Sequence, residues 1–230
     1  MKIDDAVDSI AKFFNDLIGA WVPGTVFAGG LAVMHLGPGG LVMVFQYDGG
    51  VGSALTMAGF LFALGHLLLA VTDFAIKPAL ARIKVLKKFN VDEASKRRTY
   101  QWFLEIVKTS QSGGNHDWGF QDLRSFALSV STEAASLGRR FMFISLLCNG
   151  VGTALMLLLI NFVSCSLFMP ELLHSYEHTA PPWLQVVLLL GSAILLFKQG
   201  EAFYSRAMTT PFAVAVAQLT LKKGENDTSS

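Results

Sequence analysis

The sequence predicts an all-α polytopic membrane protein: four transmembrane helices with a helical cytoplasmic extension. Two observations carry that prediction. The first is composition. Only 15% of the 230 residues are charged and 52% are hydrophobic, where a soluble domain carries about 25% charged residues. The second is the segregation of the charge. The stretches 17–47, 49–72, 141–170 and 178–197 contain no Asp, Glu, Lys or Arg. Each reaches the roughly 20 residues that a helix needs to cross a bilayer. Helices are required because backbone amides facing lipid must be satisfied within the segment. The spans are placed near 20–44, 51–76, 141–169 and 182–200.

The cations set the orientation. All 18 Lys and Arg are Lys2 and Lys12, members of 77–140, or residues from Lys198 onward. None falls in the connections "GPGGLVMVFQYDGG" (37–50) and "PELLHSYEHTAPP" (170–182). Positive residues stay on the cytoplasmic side, so both termini and 77–140 are predicted inside.

Segment 1–19 has Asp4, Asp5, Asp8 and Asp16 where a signal peptide would be basic. Ile3, Val7, Ile10, Phe14 and Leu17 fall at helical spacing, which predicts an amphipathic cytoplasmic helix. Transmembrane helices 1 and 2 fill 20–76. In the first, Ala20, Gly24, Ala28 and Ala32 recur every fourth residue, a small-residue face on which another helix can approach closely. Pro23 is expected in the first turn of that span. "GPGG" (37–40) is expected either to end the helix or to break it and let "LVMVF" re-enter.

The cytoplasmic region 77–140 is rich in helix formers and carries 12 basic against 6 acidic residues. "KPALARIKVLKKFN" is expected to prolong the second helix, and 92–108 to form another. "SQSGGNHDWG", with His116 and Asp117, reads as a turn. From Phe120, an apolar row through Leu123, Phe126 or Ala127, Val130, Ala134, Leu137 and Phe141 predicts a helix running straight into the third span. Transmembrane helices 3 and 4 fill 141–200. Segment 201–230 extends the fourth helix inward and ends in a polar tail from Lys222, expected to be unstructured. "GVGSAL" (50–55) and "GVGTAL" (150–155) echo each other as small-residue packing sequence rather than as a repeat.

Few residues invite chemistry. His66 and Asp73 share a face of the second span, two turns apart. Intramembrane ionisable groups usually face a bundle interior or a wet cavity. His66 is therefore read as an internal polar tie or a gating group. Asp73 is read as an inner-interface partner of Lys77, Arg139 or Arg140. In the third span Ser145, Asn149 and Thr153 recur every fourth residue, as interhelical hydrogen-bonding groups or as a pore lining. Lys96, Arg97, Arg98, Arg139 and Arg140 are candidate contacts for lipid headgroups or a protein partner.

His174 and His178, near Glu171 and Glu177, fall short of a metal ligand set. No metal and no cofactor are expected. Cys148 and Cys165, 17 residues apart on one helix, are too distant for a mutual disulfide. Phosphate-loop, zinc-protease and nucleophile-elbow motifs are missing, and "YDGG" (47–50) lacks the second motif an aspartyl protease needs. An enzyme acting at the inner face would have only Asp73, Arg139 and Arg140 to draw on. No direct nucleic-acid contact is expected.

"WVPGTVF" opening the first span, "GHLLLAVTDF" ending the second, the helical insert over 77–140 and "SLGRRFMF" entering the third together resemble small bacterial four-span inner-membrane proteins. These include membrane subunits of anti-phage defence operons of the Kiwa type. The resemblance implies an oligomeric component that senses membrane disturbance or signals to a cytoplasmic partner, in a bacterial inner membrane with both termini cytoplasmic. It carries over no binding residue.

The expected function is thus an oligomeric inner-membrane sensor or scaffold, with the bilayer, further copies of itself and a cytoplasmic protein as partners. The alternative is an ion channel, a small-solute pore or a membrane-depolarising effector.

Overall fold

The computed structural model describes residues 3–46, 50–110, 118–174 and 181–228. The fold is all-α, with no strand among the described residues. The helices are α1 (Ile3–Gln46), α2 (Gly50–Arg82), α3 (Val91–Ser95), α4 (Arg98–Ser110), α5 (Phe120–Val130), α6 (Thr132–Phe168) and α7 (Pro182–Thr228). Four segments are long and apolar enough to cross a membrane: Leu17–Gly40, Gly50–Arg82, Thr132–Phe168 and Pro182–Leu221. The chain is a multi-pass membrane protein.

Several expected boundaries shift for local reasons. Helix α1 is continuous from Ile3, so Pro23 lies inside it rather than in a first turn. The helix breaks at Gly37 (φ 74°, ψ 178°) and resumes with Pro38. Only glycine takes that φ without strain, and a proline lacking its N–H suits the first turn of the resumed helix. In α2 the α-helix gives way to one π turn over Thr72–Ile76 before Lys77–Arg82. The expected continuation to residue 90 stops at Arg82, with Lys84 at φ 59° just beyond.

The helix expected over 92–108 is two, α3 and α4. Asn90 caps the first by accepting from the backbone N–H of Asp92 at 2.8 Å and of Glu93 at 3.3 Å. The uninterrupted helix expected from Phe120 into the third span is also two, divided at Ser131. Ser131 is extended (φ −128°, ψ 112°) and its Oγ accepts from Ala134 N–H at 3.0 Å, so it caps α6. Helix α7 continues to Thr228, through the tail expected to be unstructured. Propagating a formed helix adds a hydrogen bond for each residue fixed.

The chain divides into two compact units. The first comprises Met1–Lys87 and Leu146–Gly200, and includes the α1–α2 crossing. A Cβ on Gly65 would collide with the Ala20 carbonyl, and one on Gly24 with the Leu61 carbonyl. The small-residue face of the first span is thus used within the chain at Ala20 and Gly24, while Ala28 and Ala32 are half-buried. Gly150 lies against Pro23 and Gly152 against Phe197, whereas Gly52 is open. The two halves of the GVG echo therefore do different work.

The second unit comprises Lys88–Ser145 and Glu201–Ser230. Its core joins Tyr100, Phe103 and Val107 of α4, Phe120, Leu123 and Ala127 of α5, and Phe212 and Ala215 of α7. Tyr100 stacks on Phe120 at 5.5 Å, and Phe212 meets both rings edge-on at 5.1 and 5.4 Å. Such pairs add about 0.5–1.5 kcal/mol each beyond burial. Of the two alternatives in the apolar row, Ala127 is buried and Phe126 is 36% exposed.

Candidate functional site

Three groups of polar residues stand out along the spans, and one in the second unit. Innermost is a buried seam. Ser145, Asn149 and Thr153 are all buried in the chain's own packing, at 2%, 1% and 0% exposure. Thr153 Oγ1 lies 2.6 Å from Thr72 Oγ1. Thr72 is itself buried and opens the π turn of α2. Its hydroxyl also donates to the Leu68 carbonyl at 2.8 Å. A hydroxyl has one proton, so Thr153 is the donor across the helix pair. Asn149 packs against Gly200, where a Cβ would meet its Oδ1.

His66 is not in that seam. The interior position expected for it is corrected: the ring is exposed on the outer face of α2, edge-on to Phe62 at 4.5 Å. Gly65, one residue earlier, takes the face against α1, and that turns His66 outward. Asp73, 65% exposed, pairs with Lys77 Nζ at 3.6 Å, which is the i, i+4 partner among those expected. An exposed pair of this kind contributes at most about 1 kcal/mol.

At the far end of the spans lies a clasp that sequence reasoning missed. His35 Nδ1 is 2.9 Å from the Leu172 carbonyl, and its Nε2 is 3.0 Å from Asn161 Nδ2. The carbonyl can only accept, so Nδ1 carries the proton and Nε2 accepts from the amide. His174 N–H donates to the Met34 carbonyl at 2.9 Å, and the His174 ring lies over Gly37. Together these hold the connection 169–174 onto the kink of α1. His35 lies in a stretch without Asp, Glu, Lys or Arg, so a count of those residues passes over it. Glu177 and His178 of the proposed ligand cluster lie outside the described residues, as do His116, Asp117 and Tyr47–Gly49 of the turn and "YDGG" readings. Among the described residues no three His, Cys, Asp or Glu come together as a metal site, and both cysteines are free.

In the second unit the expected basic cluster separates. Arg97, itself exposed, donates from Nη1 to Thr209 Oγ1 at 3.1 Å. Lys96, Arg98, Arg139 and Arg140 are exposed, with Arg98 over the Trp102 ring at 4.3 Å. Arg124, which composition gives no reason to select, points Nε and Nη2 at the Ala207 carbonyl at 3.4 and 3.5 Å. The reason is four residues further on: Pro211 has no N–H to offer that carbonyl. Burial pushes the Arg124 guanidinium below its ordinary pKa, opposed by Tyr204. Between α4 and α7, Thr99, Trp102, Glu105, Ile106, Ala213, Val216 and Ala217 line an open groove of about 770 Å³.

The fold and these groups define a four-span α-helical membrane protein with a second, aromatic-cored helical unit. Comparison with protein families, curated proteins and solved structures finds no match to the chain.

Proposed function

We propose that the chain is an oligomeric sensor or scaffold subunit of a bacterial inner membrane, with both termini cytoplasmic, whose second unit docks or signals to a cytoplasmic protein. Phage defence is the setting that the resemblance implies. One observation carries this reading: Lys88–Ser145 and Glu201–Ser230 form an aromatic core of their own rather than a linker. That unit also presents a groove with Trp102 half-exposed on its wall. The cation distribution favours placing the unit inside the cell. A pore reading asks Ser145, Asn149 and Thr153 to face water, and all three are buried within the chain, so the scaffold reading is preferred.

The test is purification of the tagged protein from native membranes in mild detergent, with sizing and mass spectrometry. The expected result is a homo-oligomer carrying a stoichiometric soluble protein that Trp102→Glu releases while the oligomer persists. A partner-free protein that conducts ions in liposomes would replace this reading with the pore.

A further inference from the structure

Residues 74–91 contain five Lys or Arg and no Asp or Glu, at the inner end of the second span. Had α2 run on to residue 90, it would have carried Lys87 about 8 Å beyond Arg82. The chain turns back instead. Lys84 N–H donates to the Ala81 carbonyl at 3.1 Å and Val85 N–H to the Leu80 carbonyl at 3.0 Å, the pair of bonds that closes a helix in a Schellman turn. Val85 and Leu86 then join Leu80 and, from α7, Ala193 and Phe197 in one apolar cluster. The turn is thereby packed onto the end of the spans. Its cations stay beside them: Arg82, Lys84 and Lys87 are all exposed, and Ile83 among them is 65% exposed.

Lys84 has φ 59°, the one positive φ outside glycine among the described residues. Glycine is the usual residue at this point of a Schellman turn, and a side chain there is strained. The turn thus holds a cation where glycine would fold more easily. Among the described residues no carboxylate lies within ion-pair reach of Arg82 or Lys84. A cluster of four or more cations immediately beside a span attracts anionic headgroups. We infer that Arg82, Lys84 and Lys87 bind the phosphodiester of an anionic phospholipid, with Ile83 against its acyl region. The ligand is a membrane lipid because the turn is packed on the spans, where headgroups lie. This contact is additional to the protein docking proposed above and does not rest on it.

The experiment titrates the full chain, in a neutral detergent, with phosphatidylglycerol or phosphatidylcholine of the same acyl chains. Bound lipids are counted by native mass spectrometry. Phosphatidylglycerol is expected to bind about 30-fold more tightly, and the difference to shrink as salt is added. Arg82→Gln, Lys84→Gly and Lys87→Gln should each reduce that preference about threefold, whereas Lys108→Gln, at an exposed cation of α4, should leave it unchanged. Lys84→Gly separates binding from folding. It relieves the backbone, so thermal unfolding should come at or above the wild-type temperature while the preference falls. Glycerol phosphate in solution should not displace the lipid. Equal affinity for the two lipids, or a preference that survives all three variants together, overturns the inference. Displacement by glycerol phosphate overturns the lipid as the ligand. The measurement is made in solution, so its outcome is independent of the membrane orientation proposed above.

Discussion

Thr72 and Thr153, 81 residues apart, are joined by a 2.6 Å hydrogen bond between side chains at 1% and 0% exposure. Because Thr72 spends its proton on the Leu68 carbonyl, the bond has a direction, and the two ends are not equivalent. Thr72→Val removes the acceptor and leaves the Thr153 hydroxyl buried without its partner. Thr153→Val leaves Thr72 still bonded to Leu68. Membrane hydrogen bonds average about 0.6 kcal/mol and reach about 1.7, and an orphaned buried group adds about 1–3 kcal/mol. Thr72→Val should therefore destabilise by about 2 kcal/mol and Thr153→Val by under about 1. The double variant should cost less than the two singles combined. Unfolding in detergent micelles measures all three; equal single costs would contradict the direction assigned.

Gly65 and Gly59 are six residues apart on α2 and face opposite environments. A Cβ at Gly65 collides with the Ala20 carbonyl, and backbone cannot step aside as a flexible side chain can. Gly59→Ala, by contrast, enters open space and gains helix propensity of about 0.5–1 kcal/mol. Gly65→Ala should lower stability by about 2 kcal/mol or more while Gly59→Ala leaves it level or slightly higher. A thermal melt of both variants decides it.

How far the sequence displays this arrangement depends on the kind of signal. Spans announce themselves through missing charge, and the four stretches free of Asp, Glu, Lys and Arg match the four membrane-length helices. Helix ends inside the charged region hang on single residues instead. Asn90 and Ser131 act as caps only because the backbone there is extended, and the apolar row around Ser131 reads equally well as one helix. The direction His66 faces was not legible either, since periodicity gives a face and not its neighbour. The neighbour is chosen by Gly65 against Ala20, a contact between two helices. His35 and Arg124 escaped for a related reason: their partners are carbonyls, of Leu172 and Ala207, and carbonyls leave no mark in a sequence.

Arg124 and Pro211 should behave as a coupled pair. In the native chain Arg124→Met deprives the Ala207 carbonyl of its donors, at a cost of about 1 kcal/mol for a contact this long. Pro211→Ala restores an N–H at the position that normally serves that carbonyl, so in that background Arg124→Met should cost close to nothing. Burial weakens the guanidinium's hold on its proton relative to the unfolded chain. Its contribution to stability then rises with pH, and only in the strongly alkaline range, so the cycle should give the same coupling at pH 6 and pH 8. Additive costs would show that the carbonyl is served otherwise.

The clasp at His35 ties the connection 169–174 to α1 through one tautomer. His35→Phe keeps the ring volume and removes both hydrogen bonds, to Leu172 and to Asn161. Amide hydrogen exchange over 169–174 should then quicken about tenfold, the equivalent of about 1.4 kcal/mol in local opening, while exchange in the second unit stays unchanged. Unaltered protection at Leu172 and His174 would show that the Met34 contact suffices to hold the loop.

Orientation can be read with two cysteines. Leu172 is 47% exposed in the connection predicted outside, and Lys96 is exposed in the unit predicted inside. In a chain with Cys148 and Cys165 changed to Ala, a membrane-impermeant maleimide should label Leu172→Cys in intact cells. Lys96→Cys should react only after permeabilisation. The cation bias behind this is complete, with no Lys or Arg in 37–50 or 170–182, and charge bias of that kind sets topology during insertion. The reverse labelling pattern would place the second unit and its groove outside the cell, and a cytoplasmic partner would then be out of reach.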